Sequence, residues 1–200
     1  MRIRVRQRQQ LGGSYQVIRL ALVLMLAGAS FCAAAVAAAD EKRWILVDTR
    51  NLTLSVMEND TALYTYDNIA IGSNGATQNK RVSDEKTPLG DYRINEIRPS
   101  SRFHVFVSID YPSMADARRA LAQDRISAEE YEVLSSARRR GWPPPQTTVL
   151  GGHLGIHGIG AGSREIHENF NWTDGCIALT NEQLDELLPL ISTGTRVTIR

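Results

Sequence analysis

The chain has 200 residues, 42% of them hydrophobic and 22% charged, with 23 Lys and Arg against 22 Asp and Glu. That composition belongs to a globular chain and excludes a disordered or collagen-like one, and the length suits one domain with an insertion better than two full cores. All five charged residues in 1–39 are arginines (Arg2, Arg4, Arg6, Arg8 and Arg19), so the rest holds 18 cationic and 22 anionic side chains, a net −4 that argues against nucleic acid as the main partner.

The arginine-bearing start is followed by an apolar run from Leu20 to Ala29 and by an alanine-rich run from Ala33 to Ala39. A basic region, an apolar region and an Ala-x-Ala end make a secretory signal peptide. Cleavage fits after Ala37 or after Ala39, and Ala39 is favoured because Asp40 opens a polar stretch. The competing reading is an uncleaved anchor, since Leu20 to Ala39 is long enough to span a bilayer; its second half, though, is mostly weakly apolar alanine. Residues 1–39 are therefore expected to be a leader and 40–200 the exported domain, touching a membrane only through the leader if it stays attached. Phe31 before Cys32 disfavours a lipid anchor, and the lack of a twin arginine before the apolar run favours general secretion. Loss of the leader removes Cys32 and leaves Cys176 as a lone thiol, either inert and buried or reactive.

Downstream, Arg43-Trp-Ile-Leu-Val-Asp and Leu52-Thr-Leu-Ser-Val-Met read as two strands around a hairpin signal at 48–51. Ala62-Leu-Tyr-Thr-Tyr and Ile69-Ala-Ile continue the pattern, a polar loop covers 76–90, and the stretch from Arg102 to Ile109 alternates again. Between Ser113 and Gly141 the period becomes helical. Ser113 can cap a first helix, Ser127 and Glu130 form a capping box for a second, and Gly141 with Pro143 to Pro145 stops it. Residues 113–141 thus read as a helical hairpin inserted in a β domain, with Arg138 to Arg140 complementing the negative end of its second helix. A strand is expected from Thr147 to His157, then a Gly-rich loop. Thr180 and Gln183 form another capping box, Leu184, Leu187, Leu188 and Ile191 make a core stripe up to Gly194, and Thr195 to Ile199 is a last strand. The fold class is mainly β with a helical insertion, a C-terminal helix and a final strand.

Chemistry concentrates near Cys176. A thiol nucleophile needs a base or cation to favour the thiolate, backbone amides for developing oxyanion charge, and access. Gly175 removes a side chain where a carbonyl would approach, and the turn Thr173-Asp-Gly-Cys lies just before a capped helix. His157 ends a strand and precedes the glycine-rich Gly158 to Gly162, so a Cys and a His on adjacent strands would make the minimal activated pair. The competing metal reading uses His153, His157, His167, Glu168 and Asp174. Four residues apart on a strand means about 13 Å, too far for His153 and His157 to share an ion, so no metal is expected. His153 and His167 read as loop or sheet-surface residues, and His104 as either packed or cleft-lining.

Ile156-His-Gly158, a spacer to Trp172, and Thr173-Asp-Gly-Cys-Ile177 together resemble the signature of the L,D-transpeptidase (YkuD-type) catalytic domain. Lys86-Thr-Pro-Leu-Gly-Asp-Tyr resembles a second stretch of that family. Tyr111-Pro112, the insertion, Pro143 to Pro145 and Leu150-Gly-Gly152 resemble its subgroup with a helical insertion. The resemblance covers roughly 43–200. It implies a β-sandwich or barrel and an exported protein of the bacterial periplasm or cell envelope, acting on peptidoglycan tetrapeptide stems without a cofactor. Cys176 would attack the carbonyl between an L-centre of meso-diaminopimelate and the terminal D-Ala. His157 would hold the thiolate as imidazolium and protonate the leaving amine, the Gly158 carbonyl would orient the imidazole, and amides at Gly175 and Cys176 would form the oxyanion hole. Trp172, Thr173, Asp174, Arg102 and Arg164 are the candidates for binding substrate.

Two positions depart from the family's commonest pattern. Asp174 stands where a His is usual, and is expected to point outward or bond backbone amides, because an inward anion would raise the thiol pKa. Ala178 stands where an Arg is frequent, removing a donor that Arg102 or Arg164 could replace. Nucleophile and base are untouched, while substrate and acceptor are left open. The alternatives are an L,D-carboxypeptidase or other hydrolase on the same scaffold, including one that releases a wall-linked protein, and a non-catalytic wall-binding module.

Overall fold

Alternating apolar side chains build the first layer of the computed structural model, which describes residues 43–200; the leader reading of 1–39 lies outside the described residues. β1 (Arg43–Asp48), β2 (Thr53–Glu58) and β3 (Thr61–Asp67) form an antiparallel meander. Asp48 shapes the first turn, its Oδ1 accepting the N–H groups of Arg50 and Asn51, each at 3.0 Å. Ile45, Val47, Leu54 and Val56 carry the buried face.

The chain then makes a small parallel pair, β4 (Ala76–Thr77) with β5 (Thr87–Pro88), around the polar loop. β6 (Gly90–Ser100) and β7 (His104–Ile109) follow as an antiparallel hairpin. β6 differs from the sequence reading, which ended the polar loop at 90 and named no strand there. Its apolar half-face is thin, Tyr92 and Ile94 buried among charged neighbours, so pairing with β7 and with the C-terminal strand makes it a strand.

Two helices come next, α1 (Met114–Ala122) and α2 (Ala128–Arg139), each opened by a full capping box, Ser113 with Asp116 and Ser127 with Glu130. Ala117, Ala120 and Leu134 join the main core. The strand expected from Thr147 is shorter than read: β8 is only Gly155–Gly158. Gly151 (φ 87°) and His153 (φ 56°) both adopt left-handed backbone, and Thr148 bridges Gly151 in a tight turn, which an extended strand cannot contain.

After β8 the glycine-rich stretch leads into α3 (Arg164–Asn169), capped by Ser163. Six residues give too little periodicity to show in the sequence. β9 (Ile177–Leu179) precedes α4 (Asn181–Leu187), which continues as a 3₁₀ turn, Leu188–Leu190. The leucine stripe therefore splits: Leu184 and Leu187 are fully buried on α4, while Leu188 lies on the 3₁₀ turn, where Pro189 cannot supply the next helical N–H.

β10 (Arg196–Ile199) inserts between β1, to which it is parallel, and β6, giving one sheet in the order β3-β2-β1-β10-β6-β7-β8-β9. The sheet then closes. Just after β3, Ala70 donates to Ala178 O (3.0 Å) and accepts from Ala178 N–H (2.8 Å), joining the two margins into a barrel-like wall. β8 and β9 run parallel with Ile156 opposite Ile177 and His157 opposite Ala178, both strands buried.

Candidate active site

That register sets the geometry of the cleft. In a parallel pair, directly opposed residues share a face and positions two apart on one strand share it too. His157 opposes Ala178, and Cys176 is the residue just before β9, two positions before Ala178.

His157 is 2% exposed and packed against three rings: Phe103 at 4.2 Å, Trp172 at 5.7 Å edge-on, and Phe106 at 6.0 Å stacked. Its Nδ1–H donates to Gly158 O at 2.8 Å. A carbonyl can only accept, so this bond fixes the tautomer and leaves the Nε2 lone pair free. Among the described residues the sealed side-chain polar atom without a partner is His167 Nε2 alone; His157 Nε2, which has no protein partner, therefore keeps contact with the cleft. Burial pulls the His157 pKa down to about 4, with the Arg102 and His167 charges pushing the same way and the Gly158 bond opposing.

Cys176 is half-buried, and its thiol donates to the carbonyl of His153 at 3.7 Å rather than to the imidazole. Burial pushes the thiol up to about 11; Asp174 adds to this, while the Gly155 N–H and the Lys80 ammonium oppose it. Both shifts favour the neutral thiol and the neutral imidazole. Burial of the two groups opposes the expected thiolate–imidazolium pair.

The turn that presents the sulfur is built by Thr173. Its hydroxyl donates to Cys176 O at 2.7 Å and accepts the N–H of Gly175 at 3.1 Å. The Gly175 N–H, expected in an oxyanion hole, is engaged within the turn in this structure. Gly175 is needed for a different reason: its φ is 127°, and a Cβ there would stand 2.5 Å from Lys86 O. Gly175→Ala is expected to destabilise the domain by about 3 kcal/mol, read by urea unfolding, and a loss below about 1 kcal/mol would mean that the turn relaxes freely.

The remaining candidates separate. Trp172 lies edge-on to His157 and donates through Nε1 to His167 Nδ1 at 3.3 Å. His167 is 2% exposed, inside α3, not a surface residue. Asp174 is exposed, with its carbonyl turned to Lys80 Nζ. Arg102 lies over the Phe103 ring at 4.8 Å, on the His157 flank. Arg164 is committed to Glu182 at 2.8 Å on the surface of α4, and so does not replace the missing cleft arginine. His104 pairs with Asp185 at 2.7 Å, and His153 stands exposed in the loop before β8. Among the described residues no group of His, Cys, Asp and Glu is placed to hold a metal.

Two residues of this region escaped the sequence reading, Lys80 and Asp84, both inside the polar loop. Lys80 is 5% exposed and donates to Asp84 Oδ1 at 2.6 Å. The sequence signal was slight: Lys80 and Asp84 stand four apart, a spacing that in a polar loop marks no helix. Gln146, after the proline run, completes the frame by donating to Tyr111 O and accepting His153 N–H, while Gly152 leaves no room for a side chain against the Gln146 backbone.

A closed, mainly β domain with a cysteine turn and a histidine strand side by side defines a catalytic domain of the L,D-transpeptidase type. The sequence model of the YkuD L,D-transpeptidase catalytic domain matches residues 42–199, and the chain belongs to that family. Among curated protein sequences none matches. Similar solved structures include the helical cell shape determining protein Pgp2 of Campylobacter jejuni, 22% identical with a TM-score of 0.54 over 79% of this chain and 47% of that one. Bd1075 of Bdellovibrio bacteriovorus is 20% identical with a TM-score of 0.52, over 80% and 48%. At such identities the likeness is one of fold, and the chain spans about half the length of these proteins.

Proposed function

We propose that residues 40–200 are an exported cysteine acyltransferase acting on peptidoglycan tetrapeptide stems, with Cys176 as nucleophile and His157 as base. The observation that carries this is the His157 tautomer: Nδ1–H is held by Gly158 O, leaving a basic Nε2 at the cleft, on the strand paired with the one that Cys176 precedes. Family membership supports the substrate class.

In this reading a stem enters with the carbonyl between meso-diaminopimelate and the terminal D-Ala over the sulfur. Sγ bonds to that carbon as its proton passes to His157 Nε2, so charge separation occurs in the transition state and not at rest. The tetrahedral carbon then expels D-Ala, its amine taking the proton from His157, and a thioester remains. A second stem's amine attacks the thioester, gives up its proton to His157 and releases Cys176, leaving a 3-3 cross-link. Water as acceptor would leave a tripeptide.

The test is mass spectrometry of muropeptides after incubation with purified tetrapeptide-containing wall. The expected result is 3-3 dimers. Accumulation of tripeptides alone would move the assignment to an L,D-carboxypeptidase with the same nucleophile, and wall binding with no change in muropeptides would make this a binding module.

A further inference from the structure

Buried lysines are uncommon, and one that touches a catalytic turn calls for an explanation. The Lys80 side chain is 4% exposed and crosses from the polar loop to the cysteine turn. Its Nζ donates to Asp84 Oδ1 at 2.6 Å and to Asp174 O at 3.5 Å, and lies 3.1 Å from the place a Gly175 Cβ would take. Asp84 is spent on the same loop: Oδ1 also accepts Lys86 N–H at 3.0 Å, and Oδ2 accepts Arg81 N–H at 2.7 Å. The inserted helical hairpin braces this loop from outside, Arg119 donating to Gln78 O and Arg125 to Lys80 O and Asn79 Oδ1.

We propose that Lys80 is a positioning residue: held by Asp84, it clamps the Asp174–Gly175–Cys176 turn through the Asp174 carbonyl and sets a fixed positive charge at that turn. The proposal rests on the reading of Cys176 as nucleophile. Four groups act on that sulfur, two by contact and two through their charge. Asp174 from the turn disfavours a thiolate, Lys80 from the loop and the Gly155 N–H from β8 favour it, and the His153 carbonyl accepts from the thiol. A merely structural lysine would need only its bonds. A charge aimed at the turn also favours the anion that forms on sulfur during attack and release.

The hairpin gains a role from this arrangement. By holding the carbonyls of residues 78 and 80 it fixes the root of the lysine, so an insertion with no cleft residue of its own sets the position of a charge inside the cleft.

The experiment is alkylation of Cys176 in the full chain by iodoacetamide, an uncharged reagent, at pH 8, followed by peptide mass mapping so that Cys32 is counted separately. Lys80→Met is expected to slow Cys176 alkylation about tenfold, equivalent to raising the thiol by one pK unit, and to lower kcat on peptidoglycan with KM little changed. Lys80→Arg, which keeps the charge, should recover most of the rate. Because Lys80→Met strands the Asp84 carboxylate, Lys80→Met with Asp84→Asn is measured beside it; it removes both charges and leaves an acceptor for the loop amides. Alkylation within twofold of the parent in either folded variant overturns the proposal. The reading of Cys176 fails separately, by turnover surviving Cys176→Ala, whereas alkylation reports on the thiol whether or not the chain acts on the wall.

Discussion

Cys176→Ala is expected to lower turnover of tetrapeptide stems by about 10⁴-fold or more while the domain stays folded. Alanine keeps the backbone of the turn and loses one sulfur, and among the described residues no other thiol remains to form the thioester. The stability change should stay within about 1 kcal/mol, because the residue is small and half-buried, with only weak sulfur contacts to His153 O and the Gly155 N–H. Muropeptide profiles of parent and variant at equal, folded concentration decide the matter. Cross-linking or trimming that persists in Cys176→Ala would remove the nucleophile assignment outright.

His157→Gln carries the second large effect, and it has two parts. Glutamine keeps a donor for Gly158 O but has no basic nitrogen, so turnover should fall by about 10²- to 10⁴-fold. The other part concerns acid stability. His157 takes a proton near pH 4 when folded and near 6.5 when unfolded. Below pH 6.5 the unfolded chain therefore binds the proton first. The stability contributed by the neutral ring is complete above 6.5 and is lost as the pH falls towards 4. Between pH 7.5 and 4.5 that loss is on the order of 2–3 kcal/mol for this residue, which is buried enough to need no allowance for screening. Urea titrations at the two pH values should show a drop smaller by this amount in His157→Gln. Parallel curves for parent and variant would mean that the imidazole is not held neutral by burial.

Much of the fold could be read from the chain because its cues are local. Ser127 with Glu130 and Thr180 with Gln183 announce helices through bonds that close within three residues, and both boxes form. Strands with clean alternation, such as Ile45 and Val47, were equally legible. What escaped depends on partners distant in the sequence. β6 is a strand because β7 and β10 pair with it. The resting protonation states of His157 and Cys176 come from burial, which no motif encodes. Lys80 looks like any surface lysine of a polar loop until the loop folds back on the turn, and a serviceable Arg164 turns out to be bound to Glu182. The motif pointed to the candidate pair; the field around it is a tertiary property.

β9 is only three residues long, yet it has no free margin: β8 binds it on one flank and Ala70 on the other. A short terminal strand would ordinarily fray, carrying its side chains out of alignment long before the rest of the molecule melts. Here such partial loosening has nowhere to start. Heat or denaturant should therefore abolish chemistry and folding in a single cooperative step, with no softened, half-competent form in between.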